Sequence, residues 1–255
     1  MLSNALIGYT GFVGGNILRQ SGDTFGQLFN SKNIADIRGQ TYDLVVCAGI
    51  TAEMWTANQA PAQDLTKIQQ LLDQLATIQA KQFVFISTVD VFAQPNGVNE
   101  DTMIDPNSAS VYGRNRFMAE QFIRQHFPHH VIMRLAGLFG EGMKKNLIYD
   151  LMNGNNPNAF TNPASVFQFY DISRLWSDIQ IALQHNLAFV HCTAEPINAR
   201  VVAKAVFDVE LTGNPAKPAR IYDFQTKYAA LFGGRGMYFY DTAATIQRIK
   251  AFVHR

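Results

Sequence analysis

Charge is scarce in this chain. Only 16% of its 255 residues are Asp, Glu, Lys or Arg, and they balance to a net +1. No run of like charge occurs. The sequence therefore excludes the electrostatic footprint of a nucleic-acid or anionic-membrane binder. Cysteine is scarcer still: Cys47 and Cys192, each within an apolar, strand-like run. Two thiols so placed make no disulfide framework. They read as buried, free and kept reduced, which points to the cytoplasm. Long apolar runs are missing as well. No stretch nears the ~18 uninterrupted apolar residues of a membrane span. The start lacks a basic n-region, so no signal peptide is expected. The six histidines stand at no metal-ligand spacing with acids or cysteines, and His126, His129 and His130 read as a polar turn around Phe127-Pro128. No metal is expected.

Apolar residues are abundant, at 47%. That is ample for one large domain, or for a domain with a small annex. The chain is organised around its first stretch, Ala5-Leu6-Ile7-Gly8-Tyr9-Thr10-Gly11-Phe12-Val13-Gly14-Gly15. An apolar run, glycines at 8, 11 and 14, and an apolar helix-compatible segment predict a strand, a tight turn and a helix start. Glycine lets the backbone turn with positive φ and lets a phosphate approach main-chain N–H groups. The helix start adds its dipole and unpaired donors, which suits a pyrophosphate.

Strands and helices then alternate. Phe25–Phe29 reads as the second strand, ending at Asn30-Ser31-Lys32, and Leu44–Cys47 as the third, followed by Ala48-Gly49. A helix runs from about Pro61 to Ala80, with Leu65, Ile68, Leu71, Leu72, Leu75 and Ile78 on one face. Phe83–Ile86 is a near-continuous apolar strand of the kind buried on both faces. Val111–Phe127 predicts a helix and His130–Leu135 a strand. This pattern predicts right-handed βαβ crossovers and a doubly wound parallel sheet with ligand at the strands' C-terminal ends. Beyond residue 140 the pattern loosens: a helix within 145–152, a turn-rich loop at 153–158, a strand at 166–170, a helix at 171–184, a strand at 187–191, and helices at 198–207 and 242–253.

The chemistry lies in the middle. The strand ending in Ser87-Thr88-Val89-Asp90 brings hydroxyls to the ligand crevice. Tyr112 and Arg116 are four apart, hence on one helix face. A cation beside a phenol stabilises phenolate and makes tyrosine a usable acid or base. Thr88 is placed to hold a substrate oxygen.

These residues resemble the extended short-chain dehydrogenase/reductases, the NAD-dependent epimerase/dehydratase group. The resemblance covers most of the chain: the glycine spacing at 8, 11 and 14, then Asp36-Ile37, Ala48-Gly49, 85–92, 111–116 and 134–140. It implies a Rossmann-type doubly wound parallel sheet (1–140 with parts of 165–195) and a small C-terminal substrate lobe (about 141–165 and 195–255). It implies Thr88, Tyr112 and Arg116 as catalytic, Arg116 standing where the family has lysine. It implies a cofactor, NAD or NADP, held by Gly8, Thr10, Gly11, Phe12, Val13, Gly14, Asn30, Ser31, Lys32, Asp36, Ile37, Ala48, Gly49, Tyr112 and Arg116. Asp36 would meet the adenine.

Arginine hydrogen-bonds a ribose but stays protonated, so it takes no part in a proton relay. Gly137 stands where sugar-nucleotide epimerases carry an asparagine, and Lys144-Lys145 follow it. No acid ends the second strand, so a 2′-phosphate is tolerated and both cofactors stay open. Phe167, Phe169, Tyr170 and Trp176 read as core rather than pocket, and Arg235 as part of a surface turn. Met54 and Trp55 are placed by analogy near the substrate. The implied activity is an epimerase, dehydratase or reductase acting on a small, polar, possibly sugar-derived molecule. The alternative is a non-catalytic NAD(P)-binding regulatory or scaffold protein. Pairing of two copies through helices 61–80 and 111–127 is permitted.

Overall fold

The computed structural model describes residues 3–52, 54–156, 158 and 161–255. The Trp55 side chain, and Pro157 of the expected 153–158 loop, lie outside the described residues. In chain order the elements are β1 (Ser3–Ile7), α1 (Phe12–Ser21), β2 (Gln27–Phe29), β3 (Thr41–Cys47), α2 (Met54–Gln59), α3 (Pro61–Leu75), β4 (Gln79–Thr88), β5 (Asn96–Val98) and α4 (Val111–His126). There follow β6 (His130–Leu135), β7 (Gly137–Phe139), α5 (Leu147–Met152), β8 (Val166–Phe167), β9 (Phe169–Asp171) and α6 (Leu175–Gln184). The chain closes with β10 (Phe189–Cys192), β11 (Ile197–Asn198), α7 (Ala199–Phe207), β12 (Asp223–Phe224) and α8 (Thr242–Val253).

The main sheet has six strands in the order β10-β6-β4-β3-β1-β2. β1 pairs in parallel with β2, Ile7 opposite Phe29, and with β3, Ile7 opposite Cys47. β3 pairs in parallel with β4, Cys47 opposite Phe85. The chain leaves β1 for β2 on one side and returns to β3 on the other. That order makes a switch point between β1 and β3, where open α/β sheets hold ligands. Side chains alternate across the sheet. Ala5, Ile7, Val45, Cys47, Phe83 and Phe85 share one core with Ile68, Leu72 and Leu75 of α3 and Ala119 and Ile123 of α4. Leu6, Val46 and Val84, on the other face, are buried as completely.

The chain divides into two compact units. The first comprises 1–93, 103–134 and 173–190, the second 94–102, 135–172 and 191–255. In this division 94–102, 135–140 and 165–172 belong to the second unit. Its core gathers Phe139, Ile148, Phe169, Ile197, Val202 and Ile249.

Among the expected elements whose bounds differ, two have an evident physical reason. The helix expected over 61–80 stops at Leu75, and Gln79 and Ala80 already pair with Thr41 and Tyr42. The polar side chains of Gln79, Lys81 and Gln82 hide the strand, while buried Ile78 extends the helix's apolar period. The strand expected over 166–170 is two strands: β8 pairs antiparallel with β11, and β9 in parallel with β7. Gln168 sits between them, 3% exposed. Its amide nitrogen lies within hydrogen-bonding range of Thr193 Oγ1, Ala194 O and Phe224 O, and its oxygen accepts from Phe224 N. A buried amide with a full set of partners explains why a polar residue interrupts the apolar run.

Candidate active site

The switch point is built by glycine. Gly8 has φ +84°, and a Cβ there would lie 2.4 Å from Ala48 O. Only a residue without a side chain lets the ends of β1 and β3 come this close. Gly8 N donates to Phe29 O at 2.7 Å, which ties in β2. A Cβ on Gly14 would fall 2.2 Å from Gly8 O, so α1 rests directly on the turn. Gly11, exposed, is the N-cap of α1, and no side chain caps the helix start. The first amides of α1, at Phe12 and Val13, are therefore open to an anion, with the helix dipole behind them. These residues fit a dinucleotide pyrophosphate. Gly8, Gly11 and Gly14 are thus brought together with Ala48-Gly49; Thr10 lies exposed at the rim of the turn.

At the end of β2, Asn30 donates from Nδ2 to Tyr9 Oη at 3.2 Å and accepts from Lys32 N at 2.8 Å. Ser31 and Lys32 are exposed. The turn offers neutral groups and a cation, with no carboxylate. Tyr9 was not singled out from the sequence; an aromatic inside a glycine turn was the available signal. Asp36 lies exposed on the 3-10 turn Ile34–Ile37. The Ile37 side chain is fully buried in the sheet core, which leaves only its main chain to meet a cofactor.

Thr88 ends β4, and its hydroxyl caps the 3-10 turn Val89–Val91, accepting from Asp90 N at 3.2 Å. The α4 start packs on that turn: a Cβ on Gly113 would lie 2.0 Å from Asp90 O. Ser110 caps α4 by accepting from Gly113 N, and Asn58 Oδ1 accepts from Tyr112 N at 3.2 Å. These contacts bury the Tyr112 phenol, 5% exposed, beside Thr88. Burial pushes the phenol up from 10.0 to about 12; the Arg116 charge opposes the rise, the Asp90 charge adds to it, the Thr88 hydrogen bond opposes it and the Asp64 charge adds to it. Tyr112 is held as a neutral proton donor.

Arg116 is placed differently from the expectation. Its guanidinium carbon lies over the Tyr112 ring, 3.9 Å from the centroid, not beside the phenol oxygen. Both terminal nitrogens bind Asp64 on α3, one at 2.9 Å, and one also donates to Thr51 O. Asn115 adds a hydrogen bond to the same carboxylate at 2.8 Å. Nε, buried, has no partner among the described residues. Most of the cation's donors are thus already taken within the protein. Asp64, Asn58 and Asp90 carried no assigned role in the sequence, since none recurs at a telling spacing.

The aromatic quartet is core in part: Phe169, Tyr170 and Trp176 are buried. Gly137 has a physical reason, for a Cβ there would meet Gln168 O at 2.8 Å. Arg235, Lys144 and Lys145 are exposed. Among the described residues no group of three or more His, Cys, Asp or Glu could hold a metal ion, and no helix is long and apolar enough to cross a membrane.

A family model for the RmlD substrate binding domain matches residues 26–158, just over half of the chain. The chain belongs to this RmlD family. That places it among the extended short-chain dehydrogenase/reductases, as the motifs implied. No curated protein matches by sequence. Solved structures extend the likeness of this RmlD-family chain over its whole length. A UDP-glucose 4-epimerase with UDP-glucose from Thermotoga maritima shares 15% identity over 99% of this chain and 98% of its own, with a TM-score of 0.76. A dTDP-4-dehydrorhamnose reductase from Bacillus anthracis, in complex with NADP, shares 16% over 99% and 98%, with a TM-score of 0.74. MoeE5, in complex with UDP-glucose and NAD, shares 14% over 99% and 97%, with a TM-score of 0.75. At these identities the likeness is one of fold.

Proposed function

We propose that this RmlD-family protein binds NAD or NADP on the Gly8 turn and acts as an epimerase or reductase on a polar, sugar-derived substrate. The observation that carries this reading is the buried Tyr112 phenol beside Thr88. Thr88 ends β4 and Tyr112 lies in the first turn of α4, which packs on the turn after β4. With the dinucleotide on the Gly8 turn, the nicotinamide would donate or accept a hydride at the substrate carbon. In the reducing direction the Tyr112 proton goes to the substrate's carbonyl oxygen, and the phenolate later regains a proton from solvent. Thr88 holds the oxygen that changes its bond order. Related structures bind UDP-glucose, and a nucleoside-diphosphate sugar is the substrate class we favour. Pairing of two copies over α3 and α4 belongs to the same proposal, as does a cytoplasmic location.

A second reading has its own observation. Because Arg116 is committed to Asp64, the chain would bind dinucleotide without turnover, as a sensor or scaffold. Titration with NADH and NADPH, followed by cofactor fluorescence, tests the binding that both readings share. Binding of one at micromolar concentration is expected; binding of neither by folded protein removes both. A screen of UDP- and dTDP-hexoses, with Tyr112→Phe as control, separates them. Turnover lost in Tyr112→Phe supports the enzyme, and no turnover of any hexose by either protein supports the sensor.

A further inference from the structure

Arg116 does not act on Tyr112 alone. Its terminal nitrogens bind both carboxylate oxygens of Asp64, and Asn115 Nδ2 donates to one of those oxygens at 2.8 Å. The two charged side chains are 3% and 11% exposed, so water and salt screen the pair weakly. The guanidinium carbon meets the face of the Tyr112 ring, 3.9 Å from its centroid. A ring face attracts a cation through its π electrons, and it does so while the hydroxyl stays protonated. A buried cation in contact with a carboxylate presents the phenol with a dipole in place of a net charge. Resting on the enzyme reading above, we propose that Asp64 is a positioning residue: it neutralises Arg116 and fixes it on the ring face, and so reserves Tyr112 as the proton donor of a reduction.

Several contacts tie the start of α4 to residues 51–64. Arg116 donates to Thr51 O, Asn58 Oδ1 accepts from Tyr112 N at 3.2 Å, and Asp64 takes both Arg116, at 2.9 Å on one oxygen, and Asn115. The guanidinium cannot swing toward the phenol oxygen without leaving Asp64. Nor can it lose its charge, since guanidinium holds its protons. Its effect on Tyr112 is therefore set by its partner. With Asp64 ionised, the pair is neutral. With an uncharged residue at 64, a buried cation would stand on the ring with nothing to balance it and would favour phenolate. The charged groups that act on the phenol are Arg116 on α4 itself, Asp64 on α3 and Asp90 on the 3-10 turn; the arginine favours phenolate and both acids oppose it. Asp90 stays in place in the variants below, as a constant background.

The test reads Tyr112 in the free protein. With ring-labelled tyrosine, the Tyr112 NMR signal is identified by its loss in Tyr112→Phe and followed with pH. Asp64→Asn keeps the shape of the side chain and removes its charge, so the midpoint should fall by about one pH unit, toward the ordinary tyrosine value of about 10. Loosened packing that wets the phenol would give a fall as well. The double variant Asp64→Leu with Arg116→Met separates the two causes. It removes the same contacts but takes both charges away together, so its midpoint should stay at that of the parent. A midpoint that does not fall in Asp64→Asn overturns the proposal. So does a midpoint that falls as far in the double variant, which would make the pair a packing element only. This second arm stands even if Asp64→Asn fails to fold. Failure of wild-type protein to bind either dinucleotide would remove the enzyme reading, and the titration would still report whether Asp64 sets the charge that Tyr112 feels.

Discussion

Arg116 grips Asp64 with both terminal nitrogens while its guanidinium carbon stands 3.9 Å from the centre of the Tyr112 ring. The two residues sit on neighbouring helices, α4 and α3, and both are nearly buried, at 3% and 11% side-chain exposure. The fork geometry matters, because a single ammonium would satisfy one carboxylate oxygen and leave the other to Asn115 alone.

Arg116→Lys should therefore cost stability although charge is kept, by about 1–3 kcal/mol in urea unfolding. Arg116→Met, which strands the Asp64 charge, should cost about 3–5 kcal/mol. If the lysine variant is as stable as the parent, the pair is no clamp. On the enzyme reading, lysine should also change the pH dependence of turnover; on the sensor reading it should change dinucleotide affinity alone.

Gly11 and Gly14 are glycines for different reasons, and alanine separates them. At Gly14 a Cβ would meet Gly8 O at 2.2 Å. Helix and turn must part, and Gly14→Ala should lose about 1–3 kcal/mol together with dinucleotide binding. Gly11 has φ −80°, a conformation open to any residue, and its Cβ would be 3.3 Å from Gly8 O. Gly11→Ala should stay within about 1 kcal/mol of the parent. If a phosphate lies against this backbone, its affinity for NADPH should nevertheless fall about tenfold, near 1.4 kcal/mol. Retained affinity in Gly11→Ala would mean that the anion sits elsewhere.

Cys47 gives a pH prediction. Burial, opposed by a hydrogen bond from the Gly49 backbone, pushes its thiol up from 9.0 to about 12. The native state then binds this proton more tightly than the unfolded chain does. The contribution to stability is whole below the unfolded value of 9.0 and is lost as pH rises toward 12. Melting temperature should fall over the alkaline limb, and Cys47→Ala should flatten that fall. Thiol reagents should label Cys47 and Cys192 only on unfolding, since both are buried. Fast labelling of native protein would contradict the placement.

The sequence carried the sheet well where apolar runs were short and uninterrupted. β6 has the expected 130–135 bounds and α8 the expected 242–253 bounds. It carried Thr88 and Tyr112 through their place at a strand end and a helix start. It did not carry Asp64 or Asp90. An acid shows its partner only when the chain has folded, because Asp64 meets Arg116 from 52 residues away. It hid the split of 166–170, since Gln168 looks like an ordinary polar residue until Thr193, Ala194 and Phe224 gather around it.

A second buried pair involves the same helix as Tyr112. Glu120, fully buried, binds Arg134 of β6 at 2.6 Å and accepts from Ser87 Oγ at 2.5 Å. Ser87 precedes Thr88, so this carboxylate joins α4 to the strand that carries the Thr88 hydroxyl. Removing one partner leaves an uncompensated charge in a buried site, while removing both need not. Glu120→Gln should therefore cost about 3–5 kcal/mol, and Arg134→Met a similar amount. The double variant Glu120→Leu with Arg134→Met should lose less than the two single losses added, with a coupling of about 1–3 kcal/mol. Ser87→Ala, which removes one donor, should cost about 1–2 kcal/mol. Its effect should also reach the Tyr112 signal in an NMR titration, since the α4–β4 seam sets the phenol against Thr88. Additive single losses, with an unmoved Tyr112 signal, would show that the pair supports the sheet and leaves the site alone.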